Sequence, residues 1–245
     1  MSAIKDGKAA GLHYRASLPV DHASKRAWPW ILFLHGRGER GNANGSELQL
    51  VQRHGPWHSL WNEDFVIIAP QCPRGKLWHA LITELIEFIS IISQRYALDK
   101  QRGYCTGLSL GGFACWTLAS AAPHSFAAIA PICAGFVQKD SRKDIGLTEL
   151  QRLADGHLDV STVKHLPAWI FHGQKDKIVL PRLSEKIYKA LKETHHHTDK
   201  TLRLTLFMDK GHSCWKQTFA LQELKDWFLS FRSPKRVKKD IKTKK

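Results

Sequence analysis

The sequence is short of several things, and each shortage removes a class of protein. No run approaches the ~18 consecutive apolar residues that a membrane helix needs, although apolar residues make up 43% of the chain. The opening stretch, Met1 to Leu12, is mixed and polar and lacks the apolar centre of a secretory signal. Cysteine is sparse: Cys72, Cys105, Cys115, Cys133 and Cys214 are odd in number, scattered, and set mostly among apolar neighbours. That pattern predicts buried, reduced thiols in a cytoplasmic protein without disulfides. Metal-binding spacings are missing too. There is no H-E-x-x-H and no paired C-x-x-C, so neither a metal nor another cofactor is expected. His195-His196-His197 falls at the end of an expected helix among charges and reads as a solvated turn. No internal repeat and no second domain is visible.

Acidic residues are also outnumbered, 22 against 37 Lys and Arg, for a net charge of +15. From Arg232 to Lys245 there are eight Lys or Arg and one Asp, which leaves +8 for the rest. The expected division is one domain over 1–231 and a basic, disordered tail over 232–245. Such a tail suits weak contact with a polyanion such as RNA or anionic lipid. Its Pro234-Lys235-Arg236-Val237-Lys238-Lys239 run also has the composition of a nuclear import signal. A solubilising extension without a partner is the simpler reading.

What is present is a succession of short apolar runs. Trp30–Leu34, Phe65–Ala69, Phe126–Ala130 and Ala168–Phe171 read as strands buried on both faces, the mark of a parallel sheet covered by helices. Leu202–Phe207 alternates, as a half-buried strand near an edge does. Helical patterns lie between them at 78–95, 110–121, 182–194 and 216–230. In the first, Leu81, Leu85, Phe88, Ile89 and Ile92 share one face. Strand–helix alternation of this kind predicts an α/β doubly wound sheet whose ligands bind beyond the strand C-termini. The charged stretch 136–166 fits no simple crossover, and reads either as a cap over the site or as a surface insertion.

One pentapeptide stands out against this background: Gly107-Leu108-Ser109-Leu110-Gly111. Placed between a strand and a helix, G-x-S-x-G makes a sharp turn that lifts the serine hydroxyl above a sheet. A serine needs a base, and this architecture expects serine, acid and histidine in that order. Asp176 follows the strand ending near Phe171, and His212 follows the next strand, in Asp209-Lys210-Gly211-His212. His212 is the expected general base and Asp176 the acid that orients it. Asp209 is the rival acid, only three residues before the base. The expected oxyanion donors are the backbone N–H groups of Leu110 and of Arg37, in the glycine-rich loop His35-Gly36-Arg37-Gly38-Glu39-Arg40-Gly41. That loop lacks the G-K-[ST] ending of a phosphate cradle, and His35 reads as its brace. Of the nine tryptophans, Trp28, Trp30, Trp116 and Trp169 read as core. Trp78 and Trp215 are the candidates for an apolar substrate wall. Cys214, two residues from His212, reads as an inert buried or half-buried thiol.

Taken in order, His35–Gly41, Gln52 to Pro56, Ala69–Pro73, Gly107–Gly112, Ala130–Cys133, His172-Gly173-x-x-Asp176 and Gly211-His212-x-x-Trp215 resemble one family. It is the α/β-hydrolase carboxylesterases of the phospholipase/carboxylesterase-like, "predicted peptidase" kind, akin to dienelactone hydrolases and feruloyl-type esterases. The resemblance spans about residues 28 to 230. It implies an α/β-hydrolase fold, a Ser109–Asp176–His212 triad and hydrolysis of a small-molecule carboxylic ester through an acyl-enzyme. A thioesterase or small-peptide peptidase on the same triad is the nearer alternative. A hydrolase-fold binding protein that uses its basic tail is the more distant one. The long 136–166 segment and the tail depart from the compact members of the family.

Overall fold

The apolar runs become strands because, buried between two helical layers, they expose no face to water. The computed structural model describes residues 2–23, 27–58, 60–137 and 146–234. In it β1 (Ala3–Ala9), β2 (Leu12–Leu18), β3 (Trp28–Leu34), β4 (Val66–Pro70), β5 (Leu98–Leu108), β6 (Ala128–Ile132), β7 (Ala168–Gly173) and β8 (Leu202–Phe207) form one sheet. Their order is β1-β2-β4-β3-β5-β6-β7-β8. The pairs β1–β2 and β2–β4 are antiparallel and the others parallel. This is the α/β-hydrolase fold, with helices on both faces of a mostly parallel sheet.

Alternating side chains of each strand feed two cores. Trp30, Leu32 and Leu34 pack with α1 (Ile82–Arg95), α2 (Leu110–Ala121), α3 (Leu147–Asp155) and α4 (Arg182–Glu193). Ile31 and Phe33 pack with Trp57, Trp61, α5 (Trp215–Phe219) and α6 (Gln222–Leu229). The helix expected over 216–230 is therefore two. Leu221 takes an extended conformation between them (φ −75°, ψ 107°), which lets Phe219 and Trp227 reach the same core. The hairpin of β1 and β2 escapes the sequence reading because β1 is largely exposed and polar. Its two-residue turn, Ala10-Gly11, has positive φ at both positions.

The stretch after β6 is a crossover after all in its described part. Leu150 and Ala154 of α3, then Val160, Val163 and Leu166, join the core that α4 completes. Its charged run from Gln138 to Asp144 lies outside the described residues. At the C-terminus the chain stays on the body past the expected boundary at 232. The Ser233 N–H donates to the Gln101 carbonyl at 2.8 Å, and Arg232 pairs with Asp99 at 3.5 Å. Residues 235–245, most of the expected tail, lie outside the described residues. Among the described residues no helix is long and apolar enough to cross a membrane.

Candidate active site

Ser109 sits where β5 turns into α2, with φ 52° and ψ −117°. A left-handed φ is costly for a residue with a Cβ, and its surroundings hold it there. The Ser109 N–H donates to the Ile132 carbonyl at 2.8 Å, and its own carbonyl accepts from the N–H groups of Gly112 and Phe113. Gly107 and Gly111 are sterically required. A Cβ on Gly111 would drive into the Leu34 carbonyl, and one on Gly107 into the Gly111 carbonyl. The motif is thus dictated by how closely the first turn of α2 sits on the ends of β3 and β5.

Asp176 and His212 reach the same rim from the next strands. The imidazole Nε2 of His212 lies 2.9 Å from Ser109 Oγ, and its Nδ1 lies 2.7 Å from Asp176 Oδ2. The carboxylate fixes the tautomer: Nδ1–H donates to Asp176, leaving Nε2 to accept from the serine hydroxyl. Burial pushes the Asp176 carboxyl up. Hydrogen bonds from His172, His212 and the N–H groups of Val179 and Ile178 outweigh that and hold it well below the usual carboxylate range. Asp209 plays no part in this chain; it is exposed and pairs with Lys210 at 2.6 Å.

The glycine-rich loop after β3 is braced from below. His35 is wholly buried. Its Nδ1 donates to the Gly36 carbonyl at 2.7 Å, and its Nε2 accepts from the Cys72 N–H at 3.0 Å. Burial lowers its pKa to about 4, with Arg40 pushing the same way against the Gly36 carbonyl, so the ring is neutral. The Gln71 amide ties the loop laterally, donating to the carbonyls of Glu39 and Glu47 and accepting from the Ala43 N–H. Arg37 begins a short 3₁₀ turn, Arg37–Glu39, with its side chain exposed, and Leu110 is the first residue of α2. The first N–H of such a turn has no acceptor within it.

The two candidate wall tryptophans part company. Trp78 is fully buried, donates Nε1–H to the His35 carbonyl at 3.0 Å and packs on the His35 ring. It supports the loop and has no surface to offer a substrate. Trp215 is half-buried. It meets the His212 ring edge-on, at 5.7 Å between centroids, and also packs against His54, at 5.0 Å. His54 in turn lies 3.6 Å from the carboxylate of Glu39. Burial pushes that carboxyl up, against Arg53 and the N–H groups of Glu39 and Gly36.

Sequence reasoning missed His172 and the neighbour of Cys214. His172 is wholly buried; its Nε2–H points at Asp176 Oδ2 (3.2 Å) and the Val179 carbonyl (2.9 Å). Its adjacency to Gly173-x-x-Asp176 was the available signal, since a histidine four residues from an acid across a tight turn can reach back to it. Cys214 meets Cys133 with 3.2 Å between the sulfurs. Their hydrogen bond, then burial, push the Cys133 thiol well up. No spacing announces that pair.

The family model of the prolyl oligopeptidase family matches residues 74–232, which include Ser109, Asp176 and His212. The chain belongs to this family. The protein is accordingly a hydrolase of the serine type. A thermostable esterase of known structure is 27% identical over 94% of this chain, with a TM-score of 0.71. The chain spans 63% of that esterase's length. An acetyl xylan esterase from Aspergillus awamori (14% identity, TM-score 0.67) matches 92% of this chain and 98% of its own. The acylaminoacyl peptidase of Pyrococcus horikoshii (16%, TM-score 0.61) matches 94% of this chain and 41% of its own. These last two likenesses show the fold. No curated protein matches the chain.

Proposed function

We propose that the protein hydrolyses carboxylic esters with Ser109 as nucleophile, His212 as general base and Asp176 as the acid that orients it. The observation that carries this reading is the 2.9 Å approach of His212 Nε2 to a serine held at φ 52°. Ser109 Oγ attacks the ester carbonyl while Nε2 takes its proton. The oxyanion is held by the N–H groups of Leu110 and Arg37, a role in which one donor contributes roughly 10²–10³-fold. His212 then protonates the departing alcohol, and a water activated by the same ring releases the acid. Trp215, beside His212, gives one flat apolar wall for the substrate.

The family name and the Pyrococcus relative favour a second reading, a peptidase on the same three residues. The esterase reading is preferred because the relative with 27% identity is an esterase. Paired p-nitrophenyl esters and p-nitroanilides of one acyl group separate the two. Ester turnover at least about a hundredfold faster than the anilide supports an esterase, whereas comparable kcat/KM values establish the peptidase.

A further inference from the structure

The loops 35–41, 71–77, 133–137, 174–181 and 208–214 leave the C-terminal ends of β3, β4, β6, β7 and β8, which run parallel, and so share one rim with Ser109. They carry seven Lys or Arg and three Asp or Glu, a net +4. Half of the +8 that precedes Arg232 is thus gathered in about a seventh of that length. Two of the three acids, Glu39 and Asp176, are buried. Asp176 is met by N–H donors, and the third acid, Asp209, pairs with Lys210 at 2.6 Å. Arg74 is answered by Glu47. Among the described residues Arg37, Arg40, Lys76, Lys175 and Lys177 make no ion pair. The rim therefore presents a surplus of positive charge that the fold itself does not use.

Arg37 stands nearest the chemistry. Its N–H is the proposed second oxyanion donor, so its side chain begins beside the reacting carbonyl. That side chain is exposed and lies between two glycines, Gly36 and Gly38. A Cβ on Gly38 would meet nothing within 4 Å, so the space next to Arg37 is open. The Arg37 carbonyl accepts from Arg40 Nε at 3.2 Å, and Arg40 Nη1 donates to the Lys76 carbonyl at 2.9 Å. These bonds fix a second guanidinium on the same turn.

We infer that the preferred substrates are anionic esters, carrying a carboxylate a few bonds from the ester carbonyl, and that the Arg37 guanidinium is the specificity-determining contact. A planar guanidinium matches a carboxylate with two parallel N–H bonds, and a rim of one sign concentrates ions of the other. The remote charge is the same in substrate and transition state, so holding it lowers KM more than it raises kcat. The contact is exposed, so salt weakens it. The inference rests on the proposed hydrolysis at Ser109 and adds the substrate class.

The test compares paired esters on the full chain at low salt. Mono-p-nitrophenyl adipate against its methyl ester puts the charge on the acyl side; 4-acetoxyphenylacetate against its methyl ester puts it on the leaving group. Each rate is divided by that ester's own hydroxide rate. In at least one pair the anion should show a kcat/KM at least about tenfold higher, mostly through KM, and that pair names the side. The advantage should shrink to within about twofold in roughly 0.5 M sodium chloride. Arg37→Gln should lower the anion-to-neutral ratio at least about fivefold, and Arg37→Lys should restore part of it. The ratio is read, so any effect on the neutral ester cancels. A chain ending at Pro234 should keep the preference. A ratio near one in both pairs, a ratio unmoved by Arg37→Gln, or a preference lost with residues 235–245 overturns the inference. In those cases neutral-ester turnover that is absent from Ser109→Ala leaves the hydrolytic reading standing. If the folded wild type turns over none of the four esters, the hydrolytic reading falls and takes this inference with it.

Discussion

At the scale of the residue, Asp176 and His35 show how burial acts in opposite directions on function and stability. All of the Asp176 carboxylate's hydrogen bonds come from N–H donors, so it remains an acceptor and holds one tautomer of His212. Asp176→Asn would offer an amide N–H to that ring and favour the wrong tautomer. Ester kcat is expected to fall about 10³–10⁴-fold with KM nearly unchanged; a loss under tenfold would assign the orienting role elsewhere. A carboxyl depressed in the fold stabilises it above the ordinary value near 3.8, and that contribution disappears as pH drops below it. His35 acts earlier. Its pKa of about 4 in the fold, against an ordinary 6.5, means that the unfolded chain binds a proton the folded one refuses. Acidification from pH 6.5 to 4 should therefore remove roughly 3 kcal/mol. Thermal melts across that window should show a falling midpoint, with a shallower slope in His35→Asn; a flat profile would contradict a buried neutral His35. Ser109 stood out in the sequence because Gly107 and Gly111, forced by backbone contact, flank it, and His212 because it follows the strand after the one that leads to Asp176. His172 and Gln71 did not, because a side chain that braces a loop across the fold leaves no periodic trace. Trp78 and Trp215 both follow strand ends, and only packing decides which one turns inward.

Among the elements, the precise seating of one loop against the next strand carries the site. Gly173, at the end of β7, lies under the carbonyls of Lys210 and Gly211, and a Cβ there would strike both. Gly173→Ala is expected to push the His212 loop outward. A shift on the order of 1 Å would lower ester turnover about a hundredfold, while far-ultraviolet circular dichroism stays native. Unchanged turnover would mean that the loop adapts without moving His212. Gly111→Ala should be worse, since its clash is with the Leu34 and His35 carbonyls at the end of β3; expected soluble yield is low. The strands that were legible are those with unbroken apolar runs. The β1–β2 hairpin was hidden by polar residues on an exposed edge, and the division of α5 from α6 by a single extended residue, Leu221, which an apolar period does not reveal.

For the whole molecule, the fold gathers residues 35–41, 109, 176 and 212 at one rim, and charge is the remaining global property. Seven of the eleven residues 235–245 are basic and one is acidic, while Ser233 is docked on β5. A chain ending at Pro234 should therefore keep full ester turnover and elute from heparin at lower salt than the full chain. Equal elution would place the polyanion affinity on the body, and lost turnover would tie the tail to the site. The most direct test of the central claim is fluorophosphonate labelling of the full chain, with the adduct located by mass spectrometry and repeated in Ser109→Ala and His212→Ala. The account predicts one adduct, on Ser109, absent from Ser109→Ala and at least about a thousandfold slower in His212→Ala. A folded wild type that does not label, or labels at another residue, would contradict it.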